Sequence, residues 1–146
     1  MTTIESNITK STYSDEKIFS VISDLRNLER VKDKLPQDKV QNVTFDADSC
    51  GFDVPPLGQV SLRIIEREPN KTIKFGSDQA PIAFNLWVQL KSVGENDTRI
   101  KVTLKAEINM MIKMMVEKPI KEMLNKIAEM LASLPYDEIE PQSTAE

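Results

Sequence analysis

Between residues 110 and 134 the apolar side chains recur every three or four positions, which places them on one face of an α-helix. The residues of this face are Ile112, Val116, Ile120, Met123, Ile127, Met130 and Leu134. Each helical residue adds about 1.5 Å, so the helix is roughly 35 Å long and can cross a whole small sheet. We therefore predict one long amphipathic helix near the end of the chain.

The middle of the chain changes to a period of two, which is typical of β-strands with one buried face. The pattern predicts strands over residues 43–47, 50–54, 60–64, 73–75, 84–90 and 100–108. The connections between them are short and contain Gly, Pro, Asn or Asp, which indicates hairpins and an antiparallel meander. The apolar face of this sheet has to be covered by another element, and the long helix is the only one long enough.

Ahead of the meander, Ile4, Ser6 and Ile8 alternate with polar residues and predict a first strand. Ser14 is a good N-cap for a short helix, and a second short helix is expected to end at Pro36. The order β-α-α-β6-α defines an α+β fold, a seven-stranded antiparallel sheet wrapped around the C-terminal helix. We expect a domain over residues 1–135 and an acidic, disordered tail over residues 136–146.

The chain has 146 residues, of which 40% are hydrophobic and 29% charged, so a single globular domain is expected. Its net charge of -4 argues against a dedicated nucleic-acid binder. No apolar run is long enough to span a membrane, and no secretory signal is visible. The single cysteine, Cys50, excludes an intrachain disulfide and fits a reducing compartment, so we expect a cytoplasmic protein.

The chain contains no histidine, which excludes zinc sites built from His and Cys as well as Ser-His-Asp and Cys-His catalysis. A general base would have to be a carboxylate, lysine or tyrosine with a shifted pKa. The inward strand positions are almost entirely apolar, and Ser6, Asn85 and Gln89 form no pair spaced for acid–base work. We expect no catalytic residue, no metal and no cofactor.

Three segments carry a resemblance to a known family: the two short helices over residues 14–35, the hairpin over residues 84–104, and the run of residues 110–115 followed by Pro119. Together they resemble the START-like, or Bet v 1-like, helix-grip superfamily (SRPBCC), which includes polyketide cyclase-type and coenzyme Q-binding proteins. The resemblance covers roughly residues 2–134. It implies a sheet that grips the last helix and leaves a cavity for a hydrophobic small molecule. Members also include enzymes and protein-binding modules, so the fold does not decide the function.

The candidate ligand-binding residues are inward-phase aromatics and methionines from the first turns of the long helix. They are Phe52, Phe75, Phe84, Met111 and Met115. Methionine adapts to irregular surfaces, and phenylalanine can stack on a flat ligand. Both residue types are also ordinary core filler, so pocket lining and core packing remain alternatives.

Two further residues leave alternatives open. Pro119 either kinks the long helix and opens a pocket mouth, or begins the regular helix after a loosely wound lead-in over residues 110–118. Trp87 has the opposite phase from Leu86 and Val88, which predicts the outer sheet face, where an exposed Trp can mark an interface.

The leading functional interpretation is a non-enzymatic binder of a hydrophobic small molecule, lipid-like or polycyclic. The ligand would lie between the sheet and the first half of the last helix. One alternative is a cyclase- or dehydratase-like enzyme in the same cavity, which needs an inward polar or charged group with a shifted pKa. Another is a protein-interaction module, such as a homodimer, that uses Trp87 or the pocket mouth.

Overall fold

The computed structural model describes residues 2–34, 41–54, 58–79 and 82–139. The strands are β1 (Thr2–Glu5), β2 (Thr9–Ser11), β3 (Gln41–Phe45), β4 (Ser49–Val54), β5 (Gly58–Glu68), β6 (Thr72–Gln79), β7 (Phe84–Gly94) and β8 (Asp97–Ala106). The α-helices are α1 (Asp15–Ile22) and α2 (Met110–Ser133). Two 3-10 helices follow them, at Leu25–Lys34 and at Tyr136–Glu138.

The strands form one antiparallel sheet in the order β1-β8-β7-β6-β5-β4-β3, with β2 paired to β8 as well. From β3 to β8 each strand pairs with the next one along the chain, which confirms the predicted meander. In the β7–β8 register Leu86 lies opposite Leu104, so inward apolar residues face each other across the pair. The architecture is the predicted α+β one, with α2 packed against the sheet.

The predicted first strand ends at Glu5, and an additional short strand, β2, begins at Thr9, which raises the strand number among the described residues from seven to eight. Ser6 is buried, and its hydroxyl accepts a hydrogen bond of 2.9 Å from the Val102 N–H. The next residue leaves the ladder, because the Asn7 N–H donates to the side chain of Asn125 in α2 at 2.7 Å. Ile8 is consequently 67% exposed and does not face the core as its alternation predicted.

The helical segment after β2 has the predicted start. The Ser14 side chain accepts a hydrogen bond of 3.1 Å from the Lys17 N–H and caps α1. At the other end, the buried Asn27 side chain donates to the Val21 carbonyl at 2.8 Å and joins α1 to the 3-10 helix. Pro36, the predicted end of the second helix, lies outside the described residues.

Helix α2 runs without interruption from Met110 to Ser133. Asn109 caps it, because its side-chain oxygen accepts a hydrogen bond of 2.9 Å from the Ile112 N–H. Pro119 lies within the helix, so the prediction that residues 110–118 form a loosely wound lead-in is wrong. The first turn of α2 begins at its capped N-terminus and not at the proline.

The described residues continue past the predicted domain boundary at residue 135. Tyr136 and Ile139 are 0% and 4% exposed, and both belong to the hydrophobic core. The Tyr136 hydroxyl donates to the Leu131 carbonyl, and the Tyr13 hydroxyl donates to Asp137 Oδ1 at 2.7 Å. Tyr136 and Ile139 therefore pack into the same core as the residues before the predicted boundary, and the rest of the predicted tail lies outside the described residues.

Candidate functional site

An apolar pocket of about 170 Å³ lies between the sheet and helix α2. Every strand except β2 contributes to its lining, and the 3-10 helix Leu25–Lys34 contributes beside them. From α2 the lining residues are Val116, Ile120, Met123, Ile127, Met130 and Leu131. The lining therefore begins at the second turn of α2 and extends to its last turns, farther along the helix than the predicted first half.

The lining is hydrophobic throughout, with one exception among the described residues. Lys32 of the 3-10 helix Leu25–Lys34 is the only charged residue that contributes to it. Leu28 and Val31 of the same element also line the pocket, as do Val43 and Phe45 of β3. A ligand in this space would gain free energy mainly from the removal of apolar surface from water.

The three predicted phenylalanines line the pocket. Phe75 is 6% exposed, whereas Phe52 and Phe84 are half-buried. They come from β4, β6 and β7, three different strands that the meander brings to the same side of the sheet. That these side chains bind a ligand stays a prediction.

The two predicted methionines do not line the pocket. Met111 is 74% exposed and Met115 is 70% exposed. The reason is helical phase: consecutive residues differ by about 100° around the axis, so Met115 points well away from its inward neighbour Val116. Met111 lies four residues earlier and shares that outward stripe. The expectation that these methionines face the interior is therefore wrong.

Several lining residues were absent from the predicted site although the sequence contained a signal for them. Cys50 alternates with Phe52 on the inward phase of β4 and lines the pocket. Ile120, Met123 and Ile127 belong to the apolar face recognised in the helix pattern. The signal was the spacing of apolar residues at every third or fourth position, which identified this helix face whatever the apolar residue type. Lys32 had no comparable signal, because a lysine at a pocket lining is exceptional.

Among the described residues, two titratable side chains line the pocket, and neither has the properties of a general base. Burial raises the pKa of the Cys50 thiol to about 12, so it is protonated at neutral pH. The Lys32 Nζ lies 2.6 Å from Glu29 Oε1, and this hydrogen bond raises the pKa of the lysine. Among the described residues, no group of three or more His, Cys, Asp or Glu could hold a metal ion.

The polar residues considered for catalysis have structural partners. The Asn85 side chain donates to the Phe75 carbonyl at 3.3 Å. The Gln89 oxygen accepts a hydrogen bond of 3.0 Å from the Thr103 hydroxyl. Neither Asn85 nor Gln89 belongs to the pocket lining, and the Ser6 hydroxyl is bonded to the backbone of β8.

Trp87 lies on the outer face of the sheet, opposite in phase to the lining residues Leu86 and Val88. It is half-buried, and two lysines of the neighbouring strands approach its ring. The Nζ atoms of Lys74 and Lys105 lie 5.3 Å and 5.5 Å from the ring centroid, within the range of cation–π contacts. That Trp87 contributes to a protein interface stays a prediction.

Comparison with known proteins supports the fold on structure alone. No family model matches the chain, and no curated protein matches its sequence. A START superfamily protein from Mycobacterium smegmatis is 17% identical with a TM-score of 0.67, and the match covers 89% of this chain and 94% of that one. Norcoclaurine synthase from Thalictrum flavum, in complex with dopamine and hydroxybenzaldehyde, is 13% identical with a TM-score of 0.70, covering 95% and 88%.

The chain thus has the START-like, or Bet v 1-like, helix-grip fold that its sequence resembles. A further solved structure, from Thermus thermophilus, has a TM-score of 0.63 at 14% identity and covers 90% of this chain and 94% of that chain. In the part of the chain that the structure describes, no helix is long and apolar enough to cross a membrane.

Proposed function

We propose that this protein binds a hydrophobic small molecule in the pocket between the sheet and α2. The observation that carries the proposal is the lining, in which every described residue except Lys32 is apolar. A space with this lining offers water no hydrogen-bond partners, so a dry cavity or an apolar occupant is favoured. The helix-grip fold is compatible with such a site but does not by itself assign it.

The size of the pocket restricts the ligand. Typical sites for drug-sized molecules measure roughly 300–1,000 Å³, whereas this pocket measures about 170 Å³. An apolar cavity of roughly 150 Å³ in another protein holds benzene. The part of the ligand that enters the pocket is therefore about the size of one aromatic ring or a short branched chain, unless the pocket widens on binding.

The proposal is tested with toluene as the probe and the methyl resonances of the protein as the readout. We expect toluene to shift the methyl signals of lining residues such as Val88 and Leu104, and to leave those of the exposed Ile8 and Ile65 unchanged. The variant Ala106→Leu adds three carbon atoms at a lining position and should weaken toluene binding about tenfold or more, because they occupy the space of the probe.

The matched control is Ala132→Leu. Ala132 packs against the core in α2 but does not line the pocket, so this variant should bind toluene as the original protein does. Shifts at Ile8 and Ile65 equal to those at the lining residues, or equal loss in both variants, would contradict the proposal. Mass spectrometry of gently purified protein then identifies any molecule that is already bound.

A second candidate is an enzyme of the cyclase or dehydratase kind that uses the same pocket. The observation in its favour is the structural similarity to norcoclaurine synthase, an enzyme of the same fold. Against it stands the lining, where a protonated Cys50 and the ion-paired Lys32 are the only titratable groups among the described residues. If Lys32 served as the essential group of such an enzyme, Lys32→Met would abolish turnover while toluene binding remained.

A further inference from the structure

Lys32 occupies a boundary position in the pocket wall. On the 3-10 helix Leu25–Lys34 it follows the inward residues Leu28 and Val31, and it lines the pocket with them. Its side chain is nevertheless 44% exposed, and its Nζ lies 2.6 Å from Glu29 Oε1. The aliphatic stem therefore contacts apolar neighbours while the ammonium group remains in reach of water, as long basic side chains commonly do.

Apart from Lys32, the described residues of the lining include no charged side chain that could neutralise an ionised group of a ligand. Apart from Lys32, every described residue of the lining is apolar, and an isolated carboxylate moved into such surroundings loses far more hydration energy than it can recover. Of the lining that the structure describes, the Lys32 end is consequently the part best suited to an anionic group, because it carries a positive charge and is within reach of water.

We propose that the ligand is amphipathic and anionic, with an apolar body in the pocket and a single carboxylate, sulfonate or phosphate beside Lys32. This inference rests on the proposed function and names the class of ligand for that same site. The ammonium group of Lys32 binds the anionic group and thereby fixes the orientation of the ligand, with its apolar end toward the interior of the domain.

Glu29 supplies a counter-charge to Lys32. Its carboxylate has the chemistry of the proposed head group and already accepts the hydrogen bond from the Lys32 ammonium. A ligand carboxylate has to share or replace this partner, and the two negative charges repel each other. Replacement of Glu29 by a neutral residue should therefore strengthen the binding of an anion and leave a neutral ligand unaffected.

The test compares two probes that differ only in the head group, phenylbutanoate and phenylbutanol, by calorimetric titration at neutral pH and low salt. The original protein should bind the carboxylate about two- to fivefold more tightly than the alcohol, because an exposed ion pair contributes a modest free energy. Lys32→Met keeps an unbranched apolar side chain and removes the charge, so it should abolish this preference. Glu29→Gln should increase it by a similar factor.

The matched control is Lys34→Met, which removes a positive charge from the same helix at an exposed position that does not line the pocket. The preference for the carboxylate should survive in this variant. Equal affinity of the original protein for both probes, or an undiminished preference in Lys32→Met, would overturn the inference and leave the proposed function standing. Failure of both probes to bind any variant would instead contradict the proposed function itself.

Discussion

The two ends of helix α2 place the same residue type in opposite surroundings. In the first turns four methionines point into solvent, and in the later turns Met123 and Met130 are each 8% exposed and line the pocket. The exposed residues are Met110, Met111, Met114 and Met115, with exposures between 69% and 79%. One helix thus carries methionine both as pocket lining and as surface.

The position of these methionines on the helix therefore decides their role, and their residue type does not. The inward stripe of α2 passes through Val116, Ile120 and Met123 at intervals of four and three. The four exposed methionines point away from this stripe, and their clustering in the sequence made them conspicuous as candidates. A cluster of one residue type is a weaker predictor of a site than the phase of the whole helix.

The largest difference between the pocket and the exposed start of α2 is expected in the reactivity of a cysteine thiol. Cys50 lines the pocket with a pKa of about 12, whereas a thiol introduced by Met115→Cys in a Cys50→Ala background would titrate near the ordinary value of about 8.5. Only the thiolate reacts, so at neutral pH Cys50 should be alkylated roughly a hundredfold or more slowly. Its rate should rise about tenfold for each pH unit until the pH approaches 12.

The measurement is the rate of iodoacetamide labelling followed by intact-protein mass spectrometry across a pH series. A rate for Cys50 that levels off near pH 8.5, the value of an ordinary thiol, would show that it is not in apolar surroundings. Toluene should slow the labelling of Cys50 and leave the labelling of the Met115→Cys thiol unchanged. This result would show that the low reactivity of Cys50 depends on its place in the pocket.

Truncation of one methionine from each end of α2 is expected to give the next largest difference. Met123→Ala removes a buried side chain and should lower the free energy of unfolding by about 2–5 kcal/mol. Met111→Ala removes an exposed one and should change it by less than about 0.5 kcal/mol. Urea denaturation followed by circular dichroism measures both values, and similar losses for the two variants would contradict the assignment of the inward face.

The smallest expected difference is in the free energy of unfolding of two tyrosine variants near the end of the described chain. Tyr136→Phe removes the hydroxyl that donates to the Leu131 carbonyl, a buried hydrogen bond, and should cost about 1 kcal/mol. The control Tyr13→Phe removes a hydroxyl that bonds to Asp137 at the surface and should cost less. If Tyr136→Phe had no effect on unfolding by urea, the end of the chain would not be fixed in the way that its burial indicates.

The sequence predicted those parts of the fold that have a regular period. The alternation in the strands and the three-or-four spacing of α2 followed from burial on one face, and both elements are present. The break of the first strand at Ser6 could not be predicted, because it depends on Asn125, 118 residues away from Asn7. The burial of Tyr136 and Ile139 was missed since they are isolated apolar residues within an acidic stretch.

The candidate site was predicted correctly only where its residues follow a regular period. Phe52, Phe75 and Phe84 follow the strand period and line the pocket, whereas Met111 and Met115 were selected by residue type and lie outside it. Lys32 contributes its stem to the lining from a 3-10 helix, and a charged residue gives no hydrophobic signal for this placement.

The most direct measurement is limited oxidation with hydrogen peroxide, followed by peptide mass spectrometry of each methionine. Oxidation to the sulfoxide depends on access of the oxidant to sulfur. We expect rapid oxidation of Met110, Met111, Met114 and Met115 and slow oxidation of Met123 and Met130. Rates for Met123 and Met130 as fast as those of the first turns would contradict the claim that the later turns of α2, and not its exposed start, line the pocket.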